Sequence, residues 1–137
     1  MKFSCFGINK YHDLPDYIIF IKNPDDDNIR EIYSSSDIFI GASESEGFYL
    51  SPAEAMACKC AVVVSKIGAV PEYSTHLVSA MHFDPGNVNE MYDNICFLLD
   101  NPDRLREISE NGYAEVRKKL NWSKSIDRFE EYLLAFW

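Results

Sequence analysis

An α/β fold, with helices covering a parallel sheet, is what this sequence predicts, and three observations carry the prediction. Short apolar runs, YIIFI at 17–21, DIFIGA at 37–42 and AVVVS at 61–65, suit strands buried on both faces. Segments with helical spacing or helix caps alternate with those runs, the order expected of strand–helix–strand units. A polar, glycine-bearing loop (44–47) then follows the 37–42 run, at the carboxyl end of a strand where open α/β sheets place their ligand crevice.

At 137 residues, 47% hydrophobic and 14% aromatic, the chain is expected to be one globular domain with a sizeable core. A net charge of -9 argues against a nucleic-acid backbone or an anionic membrane surface as partner. No run reaches the length of a membrane span, and Met1-Lys2-Phe3 does not open a secretory signal, so a cytoplasmic setting is expected. The four cysteines, Cys5, Cys58, Cys60 and Cys96, lack the CxxC pairing of a metal site; Cys58 and Cys60 suit a packed helix-to-strand junction in a reducing compartment.

In chain order, KFSCF (2–6) predicts a first strand ending at Gly7. The stretch 8–16 is too short and polar for a crossover helix, so an irregular connection is expected before the 17–21 strand. Asp25–27 can start a helix whose apolar face is Ile29, Ile32 and Tyr33. After the 37–42 strand, Gly47 permits a turn or a close backbone approach. Ser51-Pro52-Ala53-Glu54 then predicts a helix with Ser51 as cap, Pro52 in the first position and Glu54 folding back in a capping box. That helix amino terminus is suited to an anion such as phosphate. Beyond the 61–65 strand, Gly68 and Pro71-Glu72 return toward the crevice; Glu72 suits either a ligand contact or a helix start. The last strand is expected at 78–83, with His82 as a strand-end residue. Asn87 and Glu90 cap a helix directing Met91, Ile95, Leu98 and Leu99 inward, another helix starts near Pro102, and a final one follows Trp122 with Ile126, Phe129, Leu133 and Phe136 along one face. That apolar stripe predicts core or interface packing.

The carboxylates of the loop and helix carry the chemistry. Glu46 lies in a loop with no helix of its own to cap, which suits a hydrogen bond to a polyol; Glu54 is open to both a capping role and a ligand role. Glu46 and Glu54 in EGFYLSPAE, followed by AMAC, AVVVS and GAVPE, resemble the Glu-x7-Glu region of retaining GT-B glycosyltransferases of family 4 (group 1). IREIYSSSDIFIGAS before it, MHFDPGNVNEMYDNICFLLDNPDRLREISENG after it and the closing NWSKSIDRFEEYL extend the resemblance over nearly the whole chain.

The resemblance implies a Rossmann-like domain, the carboxy-terminal, donor-binding half of a two-domain enzyme, and makes a nucleotide-diphosphate sugar the expected partner. By resemblance Glu54 accepts hydrogen bonds from the nucleotide's ribose, Glu46 sits beside the donor sugar, and Gly47, Phe48, Tyr49, Leu50 and Gly68 line the donor site. A carboxylate there offsets the positive charge of an oxocarbenium-like anomeric carbon. No metal or other cofactor is expected. The family's preceding strand and helix, which carry basic residues for the diphosphate, have no counterpart in this sequence, nor does the amino-terminal acceptor domain. Hence the sheet is expected to lack its first strand, with the residue 1 strand shifting into the gap or pairing with another chain, and with Lys10, Lys22 or Lys66 available to compensate. Tyr49, Lys59 and Ala69 stand where the family commonly has glycine, and Ala61 where it has proline. Peripheral membrane association is expected only through the full-length enzyme, and a homodimer through the final helix. A catalytically silent Rossmann-like binding or assembly module is the alternative function.

Overall fold

The computed structural model describes residues 2–10 and 12–136, so any part played by Met1 itself lies outside the described residues. Its elements run β1 (Phe3–Gly7), β2 (Ile18–Lys22), α1 (Asp26–Ser34), β3 (Ile38–Gly41), α2 (Leu50–Ala57), β4 (Ala61–Ser65), α3 (Val70–Tyr73), β5 (Met81–Phe83), α4 (Val88–Asp100), α5 (Pro102–Lys119) and α6 (Trp122–Leu134). The α/β class and the parallel strands agree with the sequence reading, and no helix is described between β1 and β2. The last strand, expected at 78–83, is shorter than expected: residues 76 and 80 form an isolated bridge and only Met81–Phe83 pairs with β4.

β4 organises the core. Every residue of AVVVS is buried, and the strand is paired on both edges, with β3 through Ile38↔Ala61 to Gly41↔Val64 and with β5 through Val63↔Met81 to Ser65↔Phe83. Its side chains alternate between two packed layers. Val62 and Val64 meet Met56, Ala53, Tyr33, Tyr73 and Val116 on one face, whereas Ala61 and Val63 meet Phe83, Leu98 and Ile108 on the other. Burial on both faces is what selects a β-branched run with no polar alternation.

The sheet is interrupted. β1 pairs with β2 in one two-stranded parallel sheet, and β3, β4 and β5 form a second sheet in which β3 is an edge. Thus the first of the two expected outcomes, β1 shifting across to pair with β3, does not occur. One edge of β1 is taken by β2, its ring neighbour Phe6 is held 5.8 Å from Tyr33, and Tyr33 in turn packs 5.6 Å from Phe39 of β3, so an aromatic spacer stands between the two sheets.

The helix caps follow the sequence in two places and depart from it in a third. Asp25 accepts from the Asn28 N–H at 2.9 Å, and Asn87 accepts from the Glu90 N–H at 3.2 Å. α2, however, begins at Leu50, not after Ser51, because Tyr49 adopts a left-handed conformation (φ 59°) and turns the chain two residues early. Pro52 still falls among the first four helical residues, where a missing N–H costs no intrahelical bond, but the expected capping box does not form. Lys59, just past the end of α2, is also left-handed at φ 64°. Both sites therefore have the backbone geometry that favours glycine, and each non-glycine there costs about 1–2 kcal/mol. Ala69, by contrast, sits at φ -84°, where alanine is at ease.

α6 has no buried residue: Trp122, Phe129 and Phe136 are 84%, 63% and 85% exposed. The stripe is therefore not core, and within this chain its apolar face meets solvent. Cys60 is buried and its thiol contacts the Tyr33 carbonyl at 3.0 Å; Cys58 is only half-buried. Among the described residues no helix is long and apolar enough to cross a membrane.

His82 is a structural residue, as its strand-end position suggested. It is buried, its Nε2 lies 2.8 Å from the Ser74 hydroxyl, and its N–H donates to His76 Nδ1 at 2.9 Å. Burial, with His76 and Lys66 adding, pushes its pKa down to about 4, so the folded chain holds a neutral ring. The unfolded chain binds the proton near the ordinary histidine value, so this stabilisation is complete above about pH 6.5 and is lost as pH falls toward 4. Denaturant titrations should show the parent losing about 2 kcal/mol more than His82→Gln between pH 7 and pH 5; parallel pH profiles would remove His82 as the cause.

Candidate functional site

The loop between β3 and α2 is held from behind by three hydrogen bonds to its carbonyls. The buried Ser65 hydroxyl, at the end of β4, donates to the Ser43 carbonyl at 2.6 Å. The Ala69 N–H donates to the Gly47 carbonyl at 3.0 Å, and the Tyr73 hydroxyl to the Tyr49 carbonyl at 2.8 Å. Peptide groups are trans here, so with the Gly47 carbonyl turned toward Ala69 the N–H of Phe48 in the same peptide plane points the opposite way. Both Gly47 and Phe48 are exposed. The loop thus offers its amide side outward at the carboxyl end of the sheet, beside the free amino end of α2.

Gly68 makes this possible. Its φ is +49°, and a Cβ added there would lie 2.1 Å from the Gly47 carbonyl oxygen and 2.6 Å from that of Glu46. Both obstacles are backbone, so no side chain can swing aside.

Glu46 accepts a hydrogen bond from the Ser43 hydroxyl at 2.9 Å and is otherwise exposed. Its charge also acts on Tyr49, whose hydroxyl is raised in pKa chiefly by burial, with the Ser43 backbone opposing and Glu46 adding. Tyr49 turns back under the loop instead of entering the crevice: its hydroxyl occupies the space beside Gly41, where a Cβ would come within 2.6 Å. The side chain of Tyr49, a residue expected at the donor site, braces the strand end. Leu50 and Phe48 are 57% and 45% exposed, and the Phe48 ring leans on Tyr73 with centroids 5.4 Å apart.

Glu54 stands one turn into α2 with its carboxylate exposed. Without the capping box it is left to other uses. Its charge reaches Tyr33, whose pKa rises to about 12, first through burial and then through Glu54, with the Ser51 hydroxyl's hydrogen bond pulling the other way. Ser51, expected to cap the helix, makes no side-chain cap hydrogen bond.

A group that sequence reasoning missed lies beside Phe48. Lys118, Lys119, Lys124 and Arg128, from the α5–α6 junction, line a cleft of about 420 Å³ with Phe48 and Glu72. The signal was present as the basic run RKK at 117–119 in a chain of net charge -9, but nothing local ties that run to a loop 70 residues earlier. Lys66, by contrast, stands near His82. Among the described residues no cluster of His, Cys, Asp and Glu is placed to hold a metal ion.

The family model described as Glycosyl transferases group 1 matches residues 8–115. The chain belongs to this family. A D-inositol 3-phosphate glycosyltransferase 2 from Catenulispora acidiphila is 32% identical over 114 residues, 80% of this chain and 26% of that protein. The crystal structure of the C-terminal domain of the glycosyl transferase group 1 family protein LpcC from Francisella tularensis superposes with a TM-score of 0.71 and 34% identity, covering 77% of this chain and 55% of that one. Anabaena Alr3699/HepE in complex with UDP-glucose shares the fold, with a TM-score of 0.79 at 21% identity over 88% of this chain and 33% of that one. The group 1 domain thus has the architecture of a glycosyltransferase C-terminal domain. It spans between 22% and 30% of the length of the curated relatives it matches.

The loop's brace can be tested by stability alone. Gly68→Ala should cost about 2 kcal/mol or more in denaturant unfolding, through a left-handed alanine and two backbone collisions. Tyr73→Phe should cost about 1 kcal/mol, the worth of one hydrogen bond. A neutral Gly68→Ala would mean that the two loops do not touch.

Proposed function

We propose that this chain is the donor-binding domain of a glycosyltransferase that carries a glycosyl group from a nucleotide-diphosphate sugar to an acceptor hydroxyl with retention. The single observation that supports this most is the braced Glu46–Gly47–Phe48 loop at the carboxyl end of the sheet in a group 1 domain. The Gly47 and Phe48 amides and the amino end of α2 face the diphosphate, for which they supply hydrogen bonds and positive dipole ends. Glu46, held by Ser43, stands beside the donor sugar and offsets charge at the anomeric carbon as the diphosphate departs. Glu54, released from capping, accepts the ribose hydroxyls. The cluster of Lys118, Lys119, Lys124 and Arg128 raises the local potential next to Phe48 and compensates for a chain that is acidic as a whole.

In this reading neither metal nor other cofactor is required. An amino-terminal domain supplies the acceptor, and the exposed apolar face of α6 packs on that domain or on a second copy. The chain alone is inactive in transfer, and the complete enzyme works in the cytoplasm in polysaccharide or glycoconjugate synthesis, touching membranes only through its other parts. Glu46, Gly47 and Glu54 standing together favours this over a silent module, which has no use for an unpaired Glu54.

Calorimetric titration with UDP, GDP, dTDP and ADP tests the reading. One nucleotide should bind saturably, and Glu54→Ala should weaken it about ten- to a hundredfold, the worth of charged hydrogen bonds to ribose. Glu46→Gln should leave the free nucleotide unchanged and weaken only the nucleotide sugar. Binding indifferent to Glu54→Ala, or no binding at all, would overturn the assignment.

A further inference from the structure

The cleft at the α5–α6 junction collects more positive charge than the fold asks for. Four of the chain's 13 lysines and arginines, Lys118, Lys119, Lys124 and Arg128, line it, although the chain as a whole has a net charge of -9. Lys118 and Lys119 have a local reason to be there, because they stand in the last turn of α5, whose carbonyl end favours cations. Lys119 is also paired with Glu115 at 2.6 Å. Lys124 and Arg128 have no such reason. Lys124 lies in the first turn of α6, where the Asn121 side chain accepts from its N–H and the positive dipole end opposes a cation. Arg128 follows one turn later, at the i,i+4 spacing that sets like charges against each other. Asp127 and Glu131, three residues beyond each, have the spacing to neutralise them, as Asp27, Asp103 and Glu107 do for other arginines of the chain. Among the described residues neither pair forms, and Lys118 has no acid partner either.

The rest of the wall is of another kind. Glu72 brings an exposed carboxylate, which accepts hydrogen bonds and donates none. Phe48, leaning on Tyr73 with ring centroids 5.4 Å apart, and Leu120 are apolar. Cations without acid partners suit a dianion such as a phosphomonoester better than a single carboxylate. The Glu72 carboxylate beside them repels a bare anion, yet it suits a hydroxyl on a ligand whose charge lies at its other end. At about 420 Å³ the cleft falls within the roughly 300–1,000 Å³ of small-molecule sites. We infer that this cleft binds a sugar phosphomonoester, with its phosphate on Lys118, Lys124 and Arg128, a ring hydroxyl donating to Glu72, and its carbon face against Phe48. The site is distinct from the loop amides and the amino end of α2 that face the donor's diphosphate in the proposed function. Binding here requires no nucleotide, so the two ideas fail separately.

Calorimetric titration of the 137-residue chain with glucose 6-phosphate, glucose 1-phosphate, glucose and inorganic phosphate tests the inference, with amide NMR to locate the response. At least one of the two sugar phosphates should bind about tenfold or more tightly than inorganic phosphate, moving the amides of residues 118–128, and glucose should not bind. The double variant Lys124→Gln, Arg128→Gln should weaken that sugar phosphate by about tenfold or more, the worth of charged hydrogen bonds. Both side chains are exposed, so the thermal transition should be kept. Glu72→Gln separates the two ends of the ligand: it should weaken the sugar phosphate and tighten inorganic phosphate, opposite signs that a general change of charge cannot give. No binding of either sugar phosphate, equal affinity for inorganic phosphate, or a Glu72→Gln variant that tightens both would overturn the proposal. So would one-for-one displacement by UDP, GDP, dTDP or ADP, which would assign the cations to the donor's diphosphate.

Discussion

The contact on which the site depends is that of Gly68 with the carbonyls of Glu46 and Gly47. It lets the loop after β4 press against the loop after β3 closely enough for the Ala69 N–H to take the Gly47 carbonyl. Ser65 and Tyr73 extend the same brace to Ser43 and Tyr49. With its carbonyls committed on one side, the loop has only its amide side to offer on the other, and a row of outward N–H groups beside a helix amino terminus favours anions. The carboxylates Glu46 and Glu54 are then the acceptors available for hydroxyl groups. In the proposed reading, recognition of a phosphorylated polyol would follow from the backbone as much as from the side chains.

That brace is stiff because it grows from β4. Ser65 is the last residue of the most buried strand in the chain, and Tyr73 is itself buried between α3 and the core. The other half of the molecule is built more loosely. β1 and β2 pair with each other and reach the core through the Phe6–Tyr33–Phe39 aromatic contacts, without hydrogen bonds to β3. Stability should therefore be graded, highest around β4 and lowest around β1 and β2.

Much of this was legible in the sequence, and what was not has local physical causes. The AVVVS run specified a strand buried on both faces, and Asp25 and Asn87 marked helix starts because a cap is a contact within three residues. The start of α2 was misplaced because Ser51-Pro52-Ala53-Glu54 satisfies the capping-box pattern while the left-handed turn at Tyr49, a residue that seldom adopts one, leaves no sequence signal. The core-or-interface reading of the α6 stripe could not be resolved, since periodicity shows that a face is apolar but not what covers it. The gap in the sheet was foreseen from the family resemblance, but the outcome for β1 was not. Whether an edge strand shifts depends on packing such as that of Phe6 on Tyr33, far away in sequence. The basic cleft at Lys118 and Arg128 escaped for the same reason.

Amide-resolved NMR during titration of the chain with a nucleotide-diphosphate sugar tests most directly whether the braced loop is the ligand's seat. The account predicts that the Gly47 and Phe48 amides and the first amides of α2 move first and furthest, and that Gly68→Ala abolishes their response. Shifts confined to the Lys118–Arg128 cleft, or spread evenly over the surface while Gly47 and Phe48 stay still, would contradict it.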